Sequence, residues 1–332
     1  RRLWLLRRGA VPLLFAAGLA AKESAATLLG LLVAADVLRG GRPPGPHAPG
    51  GARRALATYL PLVVVFVGYL ALRRALLVPV PVSYFEGIAP LFVALTMLKA
   101  LVLYARLLLL PYPLTPFYDW TLLPPAASVF EPDVMAGLVL FVALLAGLGL
   151  TFRRHPRAAF LIAAFGVGLL HYAHIVPFVV PAADRFLLLS SFAFTLGLAR
   201  SVDAAVRVTG RRAWWAVPLA LIVLNAGLSV RRNTHWRTQE RILQQTAADH
   251  PDSLNARMRF GEHAQSLGQY AVAEAEFRAA VALLPGLEAP VFRLIEVLMA
   301  QGRHDAARSV LADHEARYGR ADALRALLAP TP

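Results

Sequence analysis

The sequence predicts an all-α protein in which a polytopic bundle of transmembrane helices is followed by a short α-solenoid. Two observations support this fold class. Apolar residues make up 58% of the 332 residues and lie mainly in long runs before residue 232, which is typical of a membrane protein and not of a soluble domain of this length. After residue 232 the long runs end and an internal repeat begins, so we predict two domains, 1–232 and 233–332.

The charge pattern supports the same boundary and limits the function. Residues 1–232 carry 23 Lys and Arg against 8 Asp and Glu, whereas residues 233–332 carry 11 against 12. In the first part the arginines form short clusters between apolar runs, which is typical of the cytoplasmic loops of membrane proteins and argues against nucleic acid as a partner. The chain has no cysteine, so disulfides and thiolate metal sites are excluded.

Five apolar runs approach the length of about 20 residues that a spanning helix needs. They are Leu56–Val78, Val134–Phe152, Ala158–Val180, Phe186–Ala199 and Trp214–Val230. The basic segments 39–54, 153–157 and 200–212 are then cytoplasmic loops, the first of them flexible because it is rich in Pro and Gly. Residues 79–133 and the C-terminal domain fall on the outer side.

Residues 88–110 are also long and apolar, but both of their flanks are expected outside. We therefore predict a re-entrant helix or one that lies in the membrane interface. Lys99 and Arg106 are seven residues apart and share one helical face, as expected of an amphipathic helix under anionic headgroups.

The stretch "LLFAAGLAAKESAATLLGLLVAAD", residues 13–36, has Lys22 and Glu23 in the middle of an apolar run. Basic residues flank this run on both sides, and basic flanks are expected on the cytoplasmic side. The run should then cross the membrane an even number of times, as two short helices that meet at Lys22–Glu23 would do. The alternative is one long tilted helix with a buried ion pair. Charge at the bilayer centre costs about 2.5–3.5 kcal/mol on insertion scales, so these side chains should face protein or a cavity.

The C-terminal domain contains the repeat. In "LNARMRFGEHAQSLGQYAVAEAEFRAAVALLP", Gly261 and Ala273 allow two helices to approach, Tyr270 and Phe277 fill the space between them, and Pro285 ends the second helix. This stretch resembles a tetratricopeptide repeat over 254–287. A shift of about 34 residues gives a degenerate copy over 288–321, which matches at Leu294, Gly302, Ala307 and Leu311. Such repeats bind peptides or partner helices, or serve as a folded scaffold.

A series of short motifs then resembles one family. The motifs are "AAKESAATLLGLLVAAD", "LLLLPYPLTPFYDW", "PAADRFLLLSSFAFTLGLA" and "RRNTHWRTQERIL". Together they resemble GT-C-type polytopic membrane glycosyltransferases with C-terminal tetratricopeptide repeats, close to the transmembrane O-mannosyltransferases. Asp184 and Phe186 depart from the Glu and Tyr usual there.

The resemblance implies transfer of a sugar from a polyprenyl-phosphate-linked donor in the membrane to a protein or glycan acceptor on the non-cytoplasmic face. The family's catalytic acids lie in a first outer loop, upstream of where this chain begins, so we expect an N-terminally truncated enzyme and assign no catalytic residue. The alternative is a non-catalytic, membrane-anchored repeat scaffold for protein–protein interaction. The Ala-, Leu-, Arg-, Gly- and Pro-rich composition favours a bacterial inner membrane, with the repeats periplasmic or extracellular.

A lipid-phosphate leaving group needs cations to hold its developing charge. The expected outer-side cations are Lys22, Lys99, Arg106 and Arg185, with Arg73 and Arg74 near a helix end. For Lys22 and Glu23 we weigh a buried pair that braces two helices against a phosphate-binding Lys oriented by Glu. For Arg185 the alternative is pairing with Asp184 or headgroups, and for Lys99 and Arg106 it is headgroup anchoring.

The long outer loop also carries carboxylates. Asp119, Glu131 and Asp133 are candidates to bind a divalent metal or the acceptor, with a solvated loop as the alternative. A divalent metal is the one cofactor that the sequence leaves open, and no metal ligand set is assigned.

Overall fold

The computed structural model describes residues 2–39, 51–76, 85, 87–116, 118–170, 172–175 and 180–326. The described part is helical and contains no β-strand. Most of the predicted loop 39–54, and residues 79–84 at the start of the predicted outer loop, lie outside these ranges. The helices form two compact units, residues 1–109 with 125–220 and residues 110–124 with 221–332. The boundary predicted at residue 232 falls inside a helix.

The first unit contains most of the long apolar helices. Its helices are α1 (Arg2–Ala21), α2 (Thr27–Arg39), α3 (Gly51–Leu76), α4 (Pro90–Leu109), α5 (Pro132–Phe152), α6 (Pro156–Leu170) and α7 (Leu188–Thr209), and α8 (Ala216–His235) runs from this unit into the second. Short 3-10 helices precede α2, α7 and α8, at Glu23–Ala26, Asp184–Leu187 and Arg212–Trp215.

Within the described ranges, five helices are long and apolar enough to cross a membrane, at Leu56–Leu76, Pro90–Leu109, Pro132–Phe152, Asp184–Thr209 and Arg212–His235. Many of their apolar side chains have no protein cover. Ile222 and Val223 of α8, for example, are both 64% exposed. Apolar side chains that are uncovered on long helices are explained by contact with lipid, and the chain is accordingly a helical membrane protein.

Two predicted spans differ most from the observed helices. The span Ala158–Val180 is wrong in length, because α6 ends at Leu170. Beyond that point Tyr172 and His174 use their polar side chains in contacts outside a helix, and His174 has a positive φ of 54°. The span Phe186–Ala199 is too short, because α7 continues to Thr209 through most of the predicted loop 200–212. The exposed Arg207–Asp203 ion pair is consistent with this extension, and Gly210, with φ of 66°, ends the helix.

The predicted re-entrant segment 88–110 is one uninterrupted 20-residue helix, α4. Its length and composition favour a full crossing over a re-entrant helix. A crossing by α4 adds one to the predicted number of membrane crossings. The cytoplasmic and outer sides predicted for the segments after α4 therefore no longer follow from the number of crossings.

The stretch 13–36 has the predicted break. Helix α1 ends at Ala21, Lys22 is extended with φ of −161° and ψ of 132°, and a 3-10 helix leads into α2. The two arms share one cluster, because Leu29 and Leu32 of α2 pack against Phe15 and Leu19 of α1 and Leu62 of α3, and α2 also packs against α6. The extended backbone at Lys22 separates the two arms. The alternative of one long helix is therefore wrong.

The second unit contains α9 (Gln239–Asp249), α10 (Leu254–Ser266), α11 (Tyr270–Leu283), α12 (Glu288–Ala300), α13 (His304–Tyr318) and α14 (Asp322–Ala326). Successive helices from α9 to α13 pack on one another, and Phe277, Ile295, Leu298 and Ala307 form the core of this array with no exposure. Helix α11 ends just before Pro285, as predicted. Tyr270 was expected to fill the space between helices, but it is 38% exposed.

Helices α10 and α11 approach each other at Gly261, as the sequence predicts. A Cβ atom at this position would lie 2.6 Å from Cε1 of Phe277, whose ring is fully buried. Because a buried ring has no free space to move into, only glycine fits here.

Gly261→Ala should therefore destabilise the second unit by about 1–3 kcal/mol through overpacking. Hydrogen–deuterium exchange of α10 and α11 amides in the full chain would measure the loss of protection. Gly227→Ala is the matched control, because a Cβ there meets nothing within 4 Å. Equal protection in the two variants would contradict the close approach.

Asp119, predicted as a metal or acceptor ligand or part of a solvated loop, has another role in the second unit. It is 7% exposed and accepts five hydrogen bonds of 2.6–3.1 Å. Its Oδ1 accepts from Thr121 and the Leu122 N–H, and its Oδ2 accepts from the Ser253 hydroxyl and the Asn255 N–H. Ser253 caps α10, so Asp119 holds residues 110–124 against the start of that helix.

Asp119→Ala should leave these donors without their acceptor and cost about 2–4 kcal/mol. The change should appear as faster amide exchange at the start of α10 and in residues 118–123. Asp133→Ala removes an exposed carboxylate from the first turn of α5 and is the control. Unchanged exchange at α10 in the Asp119 variant would show that the capping contacts do not stabilise this unit.

Candidate functional site

Several helix ends of the first unit meet at one place. The chain leaves α1 at Lys22 and turns into the 3-10 helix that starts at Glu23, and it enters the 3-10 helix at Asp184 from an extended Ala183. Both turns carry charged residues of the motifs from the sequence. In each turn an extended residue is followed by a 3-10 helix. The first turn carries Glu23 and the second carries Arg185.

Tyr172 connects the two turns. Its ring stacks on Phe186 with centroids 3.6 Å apart and planes 6° from parallel. Its hydroxyl shares a hydrogen bond with the side chain of Ser24, and the charges of Glu23 and Arg185 both act on it. We call Glu23, Ser24, Tyr172, Arg185 and Phe186 the Tyr172 cluster.

Glu23 is held by α3 and not by its neighbour in the sequence. Its carboxylate lies 3.6 Å from the Arg73 guanidinium, which also donates to the Tyr69 hydroxyl at 3.0 Å. Lys22 is exposed, so the predicted buried Lys22–Glu23 pair is wrong. The brace between the short helices and the bundle is the Glu23–Arg73 contact, while Lys22 stays accessible beside it.

The Arg185 side chain is exposed and lies over an aromatic ring. Its guanidinium carbon lies 5.1 Å from the centroid of the Phe186 ring, and its own backbone N–H donates to Asp184 Oδ1 at 2.7 Å. Contact with the face of an aromatic ring helps to hold a guanidinium in place. The Tyr172 cluster therefore has a cation, Arg185, at an exposed position.

Lys99 and Arg106 do not form the common headgroup-facing surface that their spacing predicts. Lys99 is 8% exposed and donates to Glu131 Oε2 at 2.9 Å, whereas Arg106 is exposed in the last turn of α4. The other oxygen of Glu131 accepts from the Ala127 and Ser128 N–H groups. The Ala127 N–H and the Lys99 ammonium hold the pKa of Glu131 below its usual range. Lys99 thus fixes the loop before α5.

The carboxylates of the predicted outer loop do not converge. Asp119 caps α10, Glu131 pairs with Lys99, and Asp133 is exposed in the first turn of α5. Within the described ranges, no group of three or more His, Cys, Asp or Glu side chains is arranged to hold a metal ion.

The sequence reasoning missed the residue at the centre of the site. Tyr172 lies in a run that was assigned to a spanning helix, so its polar edge was not considered. The signal was present in "HYAH", because three polar aromatic residues within four positions are unusual in a span. Arg73 is a predicted cation near a helix end. Its contact with Glu23 is a tertiary contact, which the spacing of residues in the sequence does not predict.

The described helices define a helical membrane protein whose second unit is also helical. No protein-family model matches the chain, and neither a curated protein nor a solved structure is detectably similar to it.

The Lys99–Glu131 pair has a clear test. Glu131→Ala should leave a buried ammonium without its carboxylate and lower the melting temperature of the detergent-solubilised protein by several degrees. The double variant Lys99→Met/Glu131→Ala removes the buried charge as well and should recover much of the loss. Asp133→Ala is the control for a carboxylate at the same helix end. A double variant no more stable than Glu131→Ala would contradict the role of the pair.

Proposed function

We propose that the chain is a GT-C-type glycosyltransferase, which transfers a sugar from a polyprenyl-phosphate-linked donor to a protein or glycan acceptor on the non-cytoplasmic face. One observation carries the proposal. The Lys-Glu and Asp-Arg-Phe motifs are about 160 positions apart in the sequence, yet they lie together around Tyr172. The resemblance to the family rests on these two motifs among others.

The chemistry of the cluster fits a lipid-phosphate leaving group. Charge develops on the phosphate oxygens as the glycosidic bond breaks, and preorganised cations stabilise that charge best. Arg185 is exposed and stacked on Phe186, and Lys22 is exposed at the opposite turn. Arg185 would bind the phosphate and Lys22 would add a second positive charge. Glu23, held by Arg73, would keep the Lys22 turn in place.

No catalytic residue is assigned within the chain. Sugar transfer to a hydroxyl needs a general base, and the carboxylates of the described residues near the cluster have other contacts. Glu23 pairs with Arg73, and Asp184 accepts the backbone N–H of Arg185. The proposal for these residues is therefore binding of the donor phosphate.

For the second unit we propose tetratricopeptide repeats that bind the acceptor protein or a partner. Two observations support this proposal. The pairs α10–α11 and α12–α13 are short helices joined by short turns, and Ala273, Phe277 and Ala307 are buried, with Gly261 against the Phe277 ring. The same pairs favour the second candidate function, a non-catalytic membrane-anchored scaffold.

Binding of a polyprenyl phosphate to the purified chain distinguishes the two. Arg185→Gln and Lys22→Gln should each weaken binding, the first by roughly tenfold because a bidentate charge-assisted contact is lost. Native mass spectrometry in detergent would measure the bound fraction. Arg106→Gln removes another exposed cation of the first unit and should bind like the wild type. Equal binding by all variants, or none by the wild type, would favour the scaffold.

A further inference from the structure

A second feature of the first unit lies at the other end of α6 and α7 from the Tyr172 cluster. Helices α4, α5, α6 and α7 line an open cleft of about 1000 Å³. Its lining includes α6 from Pro156 to Phe165 and α7 from Ala193 to Arg207, and it includes no residue of the Tyr172 cluster. The cleft is therefore separate from the proposed donor site.

The cleft has two chemically different parts. Its walls are apolar, with side chains that include Leu108, Leu144, Ile162, Phe165 and Phe194. Its basic part comes from two stretches of the chain, the turn into α6 with the first turn of that helix, and the second half of α7. The cationic and imidazole side chains are Arg154, His155, Arg157, Arg200 and Arg207.

No carboxylate balances this charge within the lining. Every ionisable side chain that the described residues contribute to the cleft is Arg or His. Arg207 is the partly neutralised member, since it pairs with Asp203 at 2.7 Å. Arg154, Arg157 and Arg200 are exposed, which leaves their donors accessible to an anion.

We propose that this cleft binds one anionic diacyl phospholipid, with the phosphate at Arg154, Arg157 and Arg200 and the acyl chains along the apolar walls. The volume is at the upper end of the range of about 300–1,000 Å³ that ligand pockets occupy, so a free phosphate or a single sugar would leave most of the walls uncovered. Basic pockets between transmembrane helices are a recurrent site for anionic lipid headgroups. The membrane lipid around these long apolar helices supplies such a ligand.

The headgroup contact is tested with phosphatidylglycerol and phosphatidylcholine as probes, added to the full chain in detergent and followed by native mass spectrometry. The wild type should bind phosphatidylglycerol roughly tenfold more tightly than phosphatidylcholine. The triple variant Arg154→Gln/Arg157→Gln/Arg200→Gln should lose this preference. The matched control, Arg153→Gln/Arg211→Gln/Arg212→Gln, removes the same charge from neighbouring positions that do not line the cleft and should keep it.

The acyl-chain contact has its own test. Gly197 lines the cleft, and a Cβ there meets nothing within 4 Å, so Gly197→Leu should fill the apolar part without a clash in the helices. It should weaken binding of both phospholipids by several-fold. Gly227→Leu is the control, because Gly227 is equally uncrowded and lies outside the cleft.

Three outcomes would overturn the proposal. The first is a wild type that binds both phospholipids equally, and the second is a triple variant or a Gly197→Leu variant that binds phosphatidylglycerol like the wild type. The third is displacement of phosphatidylglycerol by an equal concentration of polyprenyl phosphate, which would assign the cleft to an isoprenoid. If the triple variant does not fold, the preference of the wild type for phosphatidylglycerol and the Gly197→Leu variant still test the proposal.

Discussion

In a hydrocarbon environment a backbone N–H or C=O without a partner costs several kcal/mol, so the chain can leave the helical path only where protein or water covers it. The first unit follows this constraint. Its helices are uninterrupted over their apolar lengths, and the irregular backbone at Lys22, at residues 172–175 and at Ala183 occurs where several helix ends meet. Ser24, Tyr172 and His174 lie in or next to this irregular backbone. The Tyr172 hydroxyl shares a hydrogen bond with Ser24, and the His174 ring lies within hydrogen-bond distance of the Val180 carbonyl. The constraint that forms the bundle therefore also gathers these polar groups where helices end.

The second unit depends on close packing and on capping, as in water-soluble helical arrays. Its core is made by small residues on one helix facing large ones on the next, as Gly261 faces Phe277. Ionic contacts add to this at the surface, where Glu274 accepts from Arg278, Gln301 and Arg303. Although burial opposes it, these donors hold the pKa of Glu274 below its usual range. The two units thus use different physical means to reach a helical fold.

The sequence predicted the helical class, most of the long apolar helices and the break at Lys22, because each of these follows from local hydropathy or from charge beside an apolar run. Helix pairs in the second unit followed from the spacing of small and aromatic residues. The end of α6 and the burial of Lys99 were missed, since Tyr172 and Lys99 have partners far along the chain, Ser24 and Glu131. The extension of α7 was missed because its charged residues were interpreted as a loop, although Gly210 ends the helix. Of the candidate site, Glu23 and Arg185 were named, but Tyr172 and the Arg73 contact are set by tertiary packing that no period in the sequence encodes.

The position of Asp119 has a consequence for how this protein could have been assembled in evolution. Residues 110–124 belong to the second unit, although their neighbours on both sides in the chain belong to the first. Their carboxylate completes the start of α10, which begins 135 positions later. The two units are therefore interleaved along the chain, and a single cut anywhere between residues 125 and 252 would separate Asp119 from the helix start that it completes. A module that is exchanged at this boundary would have to keep both segments.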